Sequence, residues 1–399
     1  MSGDIATGSA IDAGSGRRLR SDDLALYIHW PFCVSKCPYC DFNSHVRDAV
    51  DQQAWREALL ADLAHEAAEL PGRQLGSIFF GGGTPSLMPP ATVAALIDAA
   101  TSFWPAAEDI EITLEANPSS VEASRFADLA RAGIDRVSLG LQALDDEALA
   151  WLGRAHDVRE GLAALDTAQA RFERVSFDLI YARPGQGADA WAAELGRALA
   201  FGTEHLSLYQ LTIEPGTQFA SRVARGDLTP LDADAAAEMF EQTRAMTAAA
   251  GLPAYEISNH ARPGAESRHN LTYWRYGSYA GIGPGAHGRR NRRATVRRRK
   301  PENWMARVAA NGHGIEQEEE LPPEARAQEA LLMGLRLAEG IDLDHVAALS
   351  GLPRHRLVDE RALARLAAQG LVASSSSRLI VTEPGMLLLD AILGEIVIA

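Results

Sequence analysis

The chain has 399 residues, a formal net charge of −15 at pH 7, 47% hydrophobic residues and 23% charged residues. Its length allows one large domain with a smaller one, and its composition is that of ordinary globular proteins. The excess of acidic residues argues against general nucleic-acid binding, because phosphate recognition depends on Lys and Arg. No stretch approaches the roughly 18 apolar residues that a membrane-spanning helix needs.

Residues 1–22 are small and polar and lack the apolar core of a secretory signal, so we expect a disordered lead-in there.

The cysteines are few and are crowded into one segment. The three cysteines are Cys33, Cys37 and Cys40. An odd number of neighbouring thiols cannot form a disulfide framework and indicates a reducing compartment, so we expect a cytoplasmic protein.

Apolar alternation predicts six strands, and Ala-rich and Leu-rich helical segments separate them. The predicted strands lie at residues 24–29, 77–80, 110–115, 136–141, 175–181 and 205–211. The predicted helices lie near residues 50–69, 90–103, 120–131, 146–170, 188–200 and 232–250. This order implies right-handed crossovers and a parallel sheet, and no G-x-G-x-x-G fingerprint follows the first strand. We therefore predict an α/β fold, an incomplete barrel of six βα units.

The pattern changes near residue 322. Residues 325–337, 343–350 and 354–369 predict short helices, and residues 374–382 predict a small hairpin. We interpret residues 322–399 as a winged-helix-like domain with a structural or protein-contacting role, after a main unit at residues 23–321. Its presumed recognition helix mixes acidic and basic groups, which does not suit DNA.

Candidate functional side chains follow the predicted strands, where parallel α/β sheets carry their chemistry. In strand order they are the three cysteines, residues 81–84, Glu115 with Asn117, Gln142, Asp178, and Tyr209 with Gln210.

The spacing C-x-x-x-C-x-x-C is first of all a metal hypothesis, because thiolates are soft ligands that select zinc, copper(I) or iron–sulfur clusters. Zinc would need a fourth ligand, which His29 or His45 could supply. Reactive or inert thiols are a further alternative. A four-iron cube on three thiolates instead leaves one iron free to bind a small molecule. The spacing alone leaves these alternatives open.

C-x-x-x-C-x-x-C with Tyr39 before its last cysteine resembles the signature of the radical S-adenosylmethionine (SAM) superfamily. The stretch IFFGGGTP at residues 78–85 is similar to the glycine-rich segment of that superfamily. The resemblance implies a [4Fe–4S] cluster whose free iron is chelated by the methionine part of SAM.

Nine further stretches in order resemble the family of coproporphyrinogen III dehydrogenase and haem chaperones along residues 24–395. They are LYIHWPFC, CPYCDFNSH, GGGTPSL, EITLEANP, VSLGLQALDD, LGRAH, FDLIYARPG, LSLYQLTIEPGT and HNLTYW. By this resemblance the cluster ligands are Cys33, Cys37 and Cys40. The implied cofactor-binding residues are Tyr27, Tyr39, Phe42, Gly82, Gly83, Thr84, Glu115, Gln142, Arg154 and Asp178.

Two branches of the family differ near the third cysteine. The dehydrogenase branch has a fourth cysteine two residues later, where this chain has Phe42. The chaperone branch reads CDFNS and carries H-N-x-x-Y-W, and this chain has both. The resemblance is therefore closer to the haem chaperones, and it implies that the chain binds haem and passes it to acceptor haemoproteins. The alternative is oxidative decarboxylation of coproporphyrinogen III, so the sequence leaves open whether the chain is an enzyme, and no catalytic residue is assigned.

The H-N-x-x-Y-W stretch has the chemistry of a haem site, because imidazole binds haem iron and aromatic rings stack on porphyrin. We expect haem binding to involve His269, Asn270, Tyr273 and Trp274, with His287 and His45 as weaker candidates for the histidine.

Residues 289–300, RRNRRATVRRRK, run against the acidic average. They predict either a solvated surface hairpin or loop, or a docking patch for propionates, an acidic partner or an anionic membrane surface. They also raise a third hypothesis, a radical enzyme acting on RNA, which the net charge disfavours. The sequence defines neither the oligomeric state nor the acceptor proteins.

Overall fold

The computed structural model describes residues 23–47 and 49–398, so the predicted lead-in lies outside the described residues. The first part of the chain alternates strands with helices as predicted. In order it contains β1 (Asp23–Trp30), β2 (Phe32–Cys33), β3 (His45–Val46), α1 (Gln52–Glu69), β4 (Gln74–Gly82), α2 (Pro90–Phe103), β5 (Ala106–Ala116), α3 (Ser120–Ala123), α4 (Phe126–Arg131) and β6 (Arg136–Gln142). A 3₁₀ turn at Pro85–Leu87 follows β4.

The middle of the chain completes the six predicted strands and then adds five more. Its elements are α5 (Asp146–Trp151), α6 (Val158–Gln169), β7 (Arg174–Tyr181), α7 (Ala188–Ala200), β8 (His205–Gln210), α8 (Gln218–Ala224), α9 (Ala233–Ala249), β9 (Asn259–Ala261), α10 (Arg268–Trp274), β10 (Tyr279–Ile282), β11 (His287–Arg290), β12 (Arg293–Arg297), α11 (Pro301–Asn311) and β13 (Ile315–Glu320).

Two predicted helices are each divided in the structure. The segment predicted at 146–170 breaks at Gly153, which has a positive φ of 70°, a conformation that glycine adopts without a steric penalty. Helix α6 then restarts behind Asp157, whose side chain accepts from the Glu160 backbone N–H. The segment predicted at 120–131 is divided between α3 and α4.

The strands form one eleven-stranded sheet in the order β13-β12-β11-β10-β1-β4-β5-β6-β7-β8-β9. Strands β10, β1 and β4 to β8 run parallel, whereas β9 and β11 to β13 pair antiparallel. Because β1 pairs with β4 and β10 while β8 pairs with β7 and β9, the first and sixth strands of the predicted barrel do not meet. The α/β fold is therefore an open, incomplete barrel, as predicted.

The two faces of the parallel strands differ in chemistry. In β1, Leu24, Leu26, Ile28 and Trp30 are at most 1% exposed and join the main hydrophobic core. The opposite face is rich in buried polar side chains, which come from β4 to β8. They are Ser77, Glu111, Thr113, Arg136, Ser138, Ser176, His205 and Ser207. A polar inner face suits a sheet that surrounds a ligand.

The C-terminal part forms a second hydrophobic core and a small sheet of its own. Its elements are α12 (Pro323–Gly334), β14 (Ile341–Asp342), α13 (Leu343–Ser350), a 3₁₀ turn at Arg354–Arg356, α14 (Glu360–Ala368), β15 (Val372–Ser374), β16 (Arg378–Val381), α15 (Glu383–Met386) and α16 (Leu389–Ile396). The sheet order is β14-β16-β15. Helices α12 to α14 with the β15–β16 hairpin match the predicted winged-helix-like arrangement, and β14, α15 and α16 are additions to the prediction.

Phe240 and Tyr276 of the main unit contribute to the second core, so the two parts share a packed junction. We keep a domain boundary near residue 322 as a proposal. Among the described residues, none of the helices is both long and apolar enough to cross a membrane.

Candidate functional site

The carboxyl ends of the parallel strands bring several predicted cofactor residues to one edge of the sheet. The backbone N–H of Gly82, at the end of β4, donates to Glu115 Oε2 on β5 at 3.1 Å. The Ser138 hydroxyl on β6 donates to Asp178 Oδ1 on β7 at 3.2 Å. Gln142 ends β6 with a φ of 69°, and its Oε1 is buried without a hydrogen-bond partner. An orphaned buried acceptor at this edge fits a site that takes a polar ligand.

The cysteine loop between β1 and α1 is anchored to the rest of the molecule. Phe32 and His45 pair across the short strands β2 and β3. The side-chain amide of Asn43 donates to Pro284 O and to Arg299 O, each at 2.9 Å. These two bonds tie the loop to the segments on either side of the β11–β12 hairpin. The sequence contained Asn43 only as a letter of a family motif, so its role in anchoring was missed.

Two of the three thiols have polar neighbours that come from other strands. Thr84 Oγ1 donates to Cys33 Sγ at 3.4 Å, and Arg154 Nη1 donates to Cys37 Sγ at 3.4 Å. Burial raises the pKa of the Cys33 thiol above its usual value, and the Thr84 hydrogen bond opposes this effect. Donors directed at sulfur suit bound thiolates, which are acceptors.

The glycine turn lies against β1 and the start of the cysteine loop. Gly82 has a φ of +115°, and a Cβ atom there would come within 2.6 Å of the His29 ring. A Cβ atom on Gly83 would come within 2.7 Å of the Phe32 carbonyl oxygen, and the Gly83 N–H donates to Trp30 O at 2.7 Å. The turn therefore needs glycine so that backbone can approach backbone.

Arg154 links the cysteine loop to the strand ends. Its Nη2 donates to Asn117 Oδ1 at 2.5 Å and to Gly140 O at 3.0 Å, and its Nη1 lies 3.5 Å from the Tyr39 hydroxyl. Asn117 Nδ2 in turn donates to Thr84 Oγ1 at 3.0 Å. Arg154 Nε is buried without a partner, so a donor remains for a carboxylate. The position of Asn117 after a strand predicts a functional role, but the resemblance does not assign Asn117 to the cofactor.

The two carboxyl groups at the site hold protons more strongly than usual. Burial, followed by the charge of Asp178, raises the pKa of Glu115 to about 8. Burial raises the pKa of Asp178 to about 6, and hydrogen bonds from Ser207 and Ser138 oppose this shift. Two acidic groups that repel one another in a poorly solvated space favour a cationic ligand, which would lower both pKa values.

The H-N-x-x-Y-W stretch forms helix α10 and packs on the polar inner face of the sheet. His269 is 4% exposed, and its Nδ1 is hydrogen-bonded to Ser77 Oγ at 3.2 Å. Its ring stacks on Phe79 with a centroid distance of 4.9 Å and lies 6.1 Å from the ring of Tyr27. The His269 backbone N–H donates to Glu111 Oε1 at 3.3 Å. The histidine thus lies inside the open barrel.

Burial lowers the pKa of His269 to about 4, so the imidazole is neutral at physiological pH, the form that binds iron. The other predicted haem residues continue along the helix. The Asn270 backbone N–H donates to Ser267 Oγ, the N-cap of α10, at 3.4 Å. The ring centres of Tyr273 and Trp274 lie 4.9 Å apart.

The remaining candidates lie on the cysteine loop and on the short strands β3 and β11. Phe42 is 61% exposed, and Cys40 Sγ lies 3.7 Å from Ser44 Oγ. His45 and His287 are on β3 and β11, respectively, away from α10 in sequence.

Across residues 23–47 and 49–398, no three Cys, His, Asp or Glu side chains converge closely enough to surround a metal ion. A four-iron cube spreads its thiolates over separate irons. Three thiols on one loop, backed by a glycine turn and approached by donors from Thr84 and Arg154, are a ligand set of that kind.

The basic segment at residues 289–300 is a hairpin whose charges are largely paired. Arg297, which is fully buried, donates to Asp62 at 2.7 Å and to Glu66 at 2.8 Å, and Arg290 lies 3.0 Å from Glu66. The acidic strand β13 pairs with β12. The segment is a hairpin, as predicted, but it is not solvated throughout, because Arg289, Arg290 and Arg297 are buried. The structure leaves far fewer free cations for a docking patch than the sequence implied.

Comparisons with known proteins agree with this geometry. The profile of the Radical SAM superfamily matches residues 27–195, and that of the HemN C-terminal domain matches residues 321–388. The solved structure of coproporphyrinogen III oxidase (HemN) from Escherichia coli superposes with a TM-score of 0.78, covering 94% of this chain and 90% of that chain. At 22% identity this likeness shows the fold.

Curated relatives are more similar in sequence. Heme chaperone HemW of Escherichia coli (strain K12) is 39% identical over 378 residues, which cover 93% of this chain and 97% of HemW. Radical S-adenosyl methionine domain-containing protein 1, mitochondrial, of Bos taurus is 41% identical over 387 residues, which cover 94% of this chain and 87% of that protein. The chain therefore belongs to the radical SAM family of HemN and HemW, and within this family its sequence is more similar to HemW than to HemN.

Proposed function

We propose that this protein is a haem chaperone that binds haem, transfers it to acceptor haemoproteins and carries a [4Fe–4S] cluster with SAM. One observation carries the proposal: the loop offers three sulfur ligands and places an exposed Phe42 where the dehydrogenase branch has a cysteine. The long matches to proteins named heme chaperone HemW support the same choice. We place the protein in the cytoplasm, in a compartment that keeps thiols reduced.

In this proposal Cys33, Cys37 and Cys40 hold the cluster, and the free donor of Arg154 binds the SAM carboxylate. Glu115 is placed to accept a hydrogen bond from an ammonium or a hydroxyl group. When reduced, a cluster with bound SAM would supply one electron to the sulfonium.

The other proposed SAM contacts surround these groups. They are Tyr27, Tyr39, Phe42, Gly82, Gly83, Thr84, Gln142 and Asp178.

The proposed haem site is the face of α10 that carries His269, Tyr273 and Trp274, with Asn270 beside them. Its support is the neutral state of the buried imidazole and the row of aromatic rings. Because His269 is 4% exposed, iron could reach it only through the open side of the barrel or after a movement of α10.

The test is haem titration into anaerobically reconstituted protein, with and without cluster, followed by the Soret band. We expect saturable binding and transfer of haem to an apo-haemoprotein such as apomyoglobin. Failure of wild type to bind haem would reject the proposal. Consumption of SAM with loss of carbon dioxide from coproporphyrinogen III would instead establish the dehydrogenase alternative.

His269→Ala tests the ligand, and it is compared with variants of two histidines outside α10. We expect His269→Ala to change the Soret spectrum and weaken binding. His45→Ala tests the weaker candidate, and His345→Ala, at an exposed histidine on α13, is the control that should bind haem as wild type does. Wild-type-like binding by His269→Ala would remove His269 as the ligand.

A further inference from the structure

Two side chains that contact one another at the junction of the main unit and the C-terminal part each carry a buried, unpaired hydrogen-bond donor. The guanidinium carbon of Arg336, just after α12, lies 5.0 Å from the centre of the Trp274 ring on α10. Arg336 Nε and Trp274 Nε1 are both buried and have no hydrogen-bond partner among the described residues. Buried donors are nearly always paired, so two unpaired donors on neighbouring side chains call for an acceptor.

The acidic side chains around this junction already have partners. Glu339 receives two bonds from Arg275, at 2.7 and 2.9 Å, and Glu329 receives the Tyr276 hydroxyl at 2.7 Å. Glu256 Oε1 accepts backbone N–H groups at 2.6 and 2.8 Å. The acceptor that Arg336 lacks is therefore not supplied by these carboxylates.

The segment that carries Arg336 is fixed to the main unit. The Ala338 N–H donates to Tyr255 O at 3.0 Å, and the bidentate Arg275–Glu339 pair follows one residue later. Residues held in this way lose little freedom when they bind a ligand, which favours affinity.

Aromatic rings extend from this cation into the candidate site. The Tyr273 ring lies 4.9 Å from that of Trp274 and 6.0 Å from that of His269. A flat aromatic ligand with a carboxylate arm would match this surface, because the rings can stack on its plane while Arg336 pairs with the arm.

We propose that Arg336, together with the indole N–H of Trp274, binds a carboxylate side chain of haem. The inference rests on the proposed haem-chaperone function and assigns the propionate contact to the junction instead of to the basic segment at residues 289–300. Arg336 is a binding residue in this account, and no chemical step is attributed to it.

The test compares haemin with haemin dimethyl ester, which lacks free carboxylates. Both are titrated into wild type, Arg336→Gln and Arg275→Gln. We expect Arg336→Gln to weaken haemin binding by about tenfold or more and to leave binding of the ester unchanged. Arg275→Gln is the matched control, because it removes a neighbouring arginine that is already paired with Glu339; both ligands should bind it as they bind wild type.

Trp274→Phe keeps an aromatic ring and removes the N–H, so it should weaken binding of haemin more than binding of the ester. The inference is overturned if Arg336→Gln binds haemin as tightly as wild type, or if it loses both ligands equally. In those cases wild type still binds haemin and the chaperone proposal survives. If wild type binds neither ligand, the chaperone proposal and this inference are both rejected.

Discussion

Gly83 lies so close to the cysteine loop that a Cβ atom would come within 2.7 Å of the Phe32 carbonyl oxygen. Because that neighbour is backbone, Gly83→Ala should displace the loop, cost about 1–3 kcal/mol of stability and lower the iron content after reconstitution. Denaturant titration and iron analysis measure the two effects. Gly196→Ala is the control, since no atom lies within 4 Å of its added methyl group. Equal iron content in Gly83→Ala and wild type would contradict the assigned role.

Glu115 gives the cofactor-free protein a defined pH dependence. Its pKa is raised from the ordinary 4.5 to about 8, first by burial and then by the charge of Asp178. Between these values the folded state keeps a proton that the unfolded state has released, so stability falls as the pH rises from about 4.5 to about 8. We expect Glu115→Gln, which carries no ionisable proton, to lose less stability than wild type over this range.

Chemical denaturation at pH 5 and at pH 8.5 measures that difference. Glu395→Gln, at an exposed carboxylate paired with Arg365, is the control and should follow wild type. A Glu115→Gln variant with the same pH dependence as wild type would show that Glu115 is not held protonated.

Residue types with a fixed chemical role were predictable from the sequence, whereas residues that act through the fold were not. The cysteines and glycines form contiguous motifs, and the structure places them beside each other. Asn43 bridges segments that are far apart in sequence. Asn117 was a strand-end candidate, but its bonds to Thr84 and Arg154 were not predictable. Such contacts depend on strand order, which local patterns do not contain. Arg336 was missed for the same reason.

At the scale of elements, hydrogen bonds from Asn43 hold the cysteine loop in place. Its amide donates to Pro284 O and Arg299 O, so Asn43→Ala should loosen the loop and leave both segments without these donors. We expect faster amide hydrogen exchange at residues 32–46 and weaker retention of the cluster. Asn311→Ala, at the end of α11, is the control. Unchanged exchange in Asn43→Ala would show that β2 and β3 hold the loop unaided.

The β11–β12 hairpin depends on a buried ion network with α1. Arg297 and its partners Asp62 and Glu66 are essentially inaccessible to solvent, so Arg297→Met should leave the buried Asp62 carboxylate without its cation, while Glu66 keeps Arg290. A loss of about 3–5 kcal/mol is typical of such a change. Arg365→Met breaks only the exposed pair with Glu395 and should cost about 0–1 kcal/mol. Similar unfolding free energies for the two variants would contradict this account.

Elements with strong apolar periodicity were predicted well, including the six strands of the partial barrel and the C-terminal helices. Strands β9, β10 and β13 were missed, two of them because they are short, and the β11–β12 hairpin was predicted without its place in the main sheet, because it is rich in arginine. In the sequence, an arginine-rich segment does not look like a buried strand. In the structure, Asp62, Glu66 and the acidic strand β13 neutralise these arginines. Their partners come from distant parts of the chain, which no local pattern reveals.

At the scale of the whole molecule, the open barrel has a polar inner face, a cysteine loop at the carboxyl edge and helix α10 on the inside. The C-terminal part closes against α10, and Arg336 meets Trp274 at that junction. The cofactor site and the proposed haem site therefore share one sheet. Tyr27 connects them directly, since it is hydrogen-bonded to His29 at 2.9 Å and lies 6.1 Å from the His269 ring.

The central claim is that three thiols hold an iron–sulfur cube with one iron left free for SAM. The most direct measurement is metal and sulfide analysis of anaerobically reconstituted protein, with electron paramagnetic resonance of the reduced form before and after SAM is added. The account predicts about four irons and four sulfides per chain and a spectrum that changes when SAM binds. One tightly bound zinc per chain, or a cluster spectrum that SAM does not alter, would contradict it.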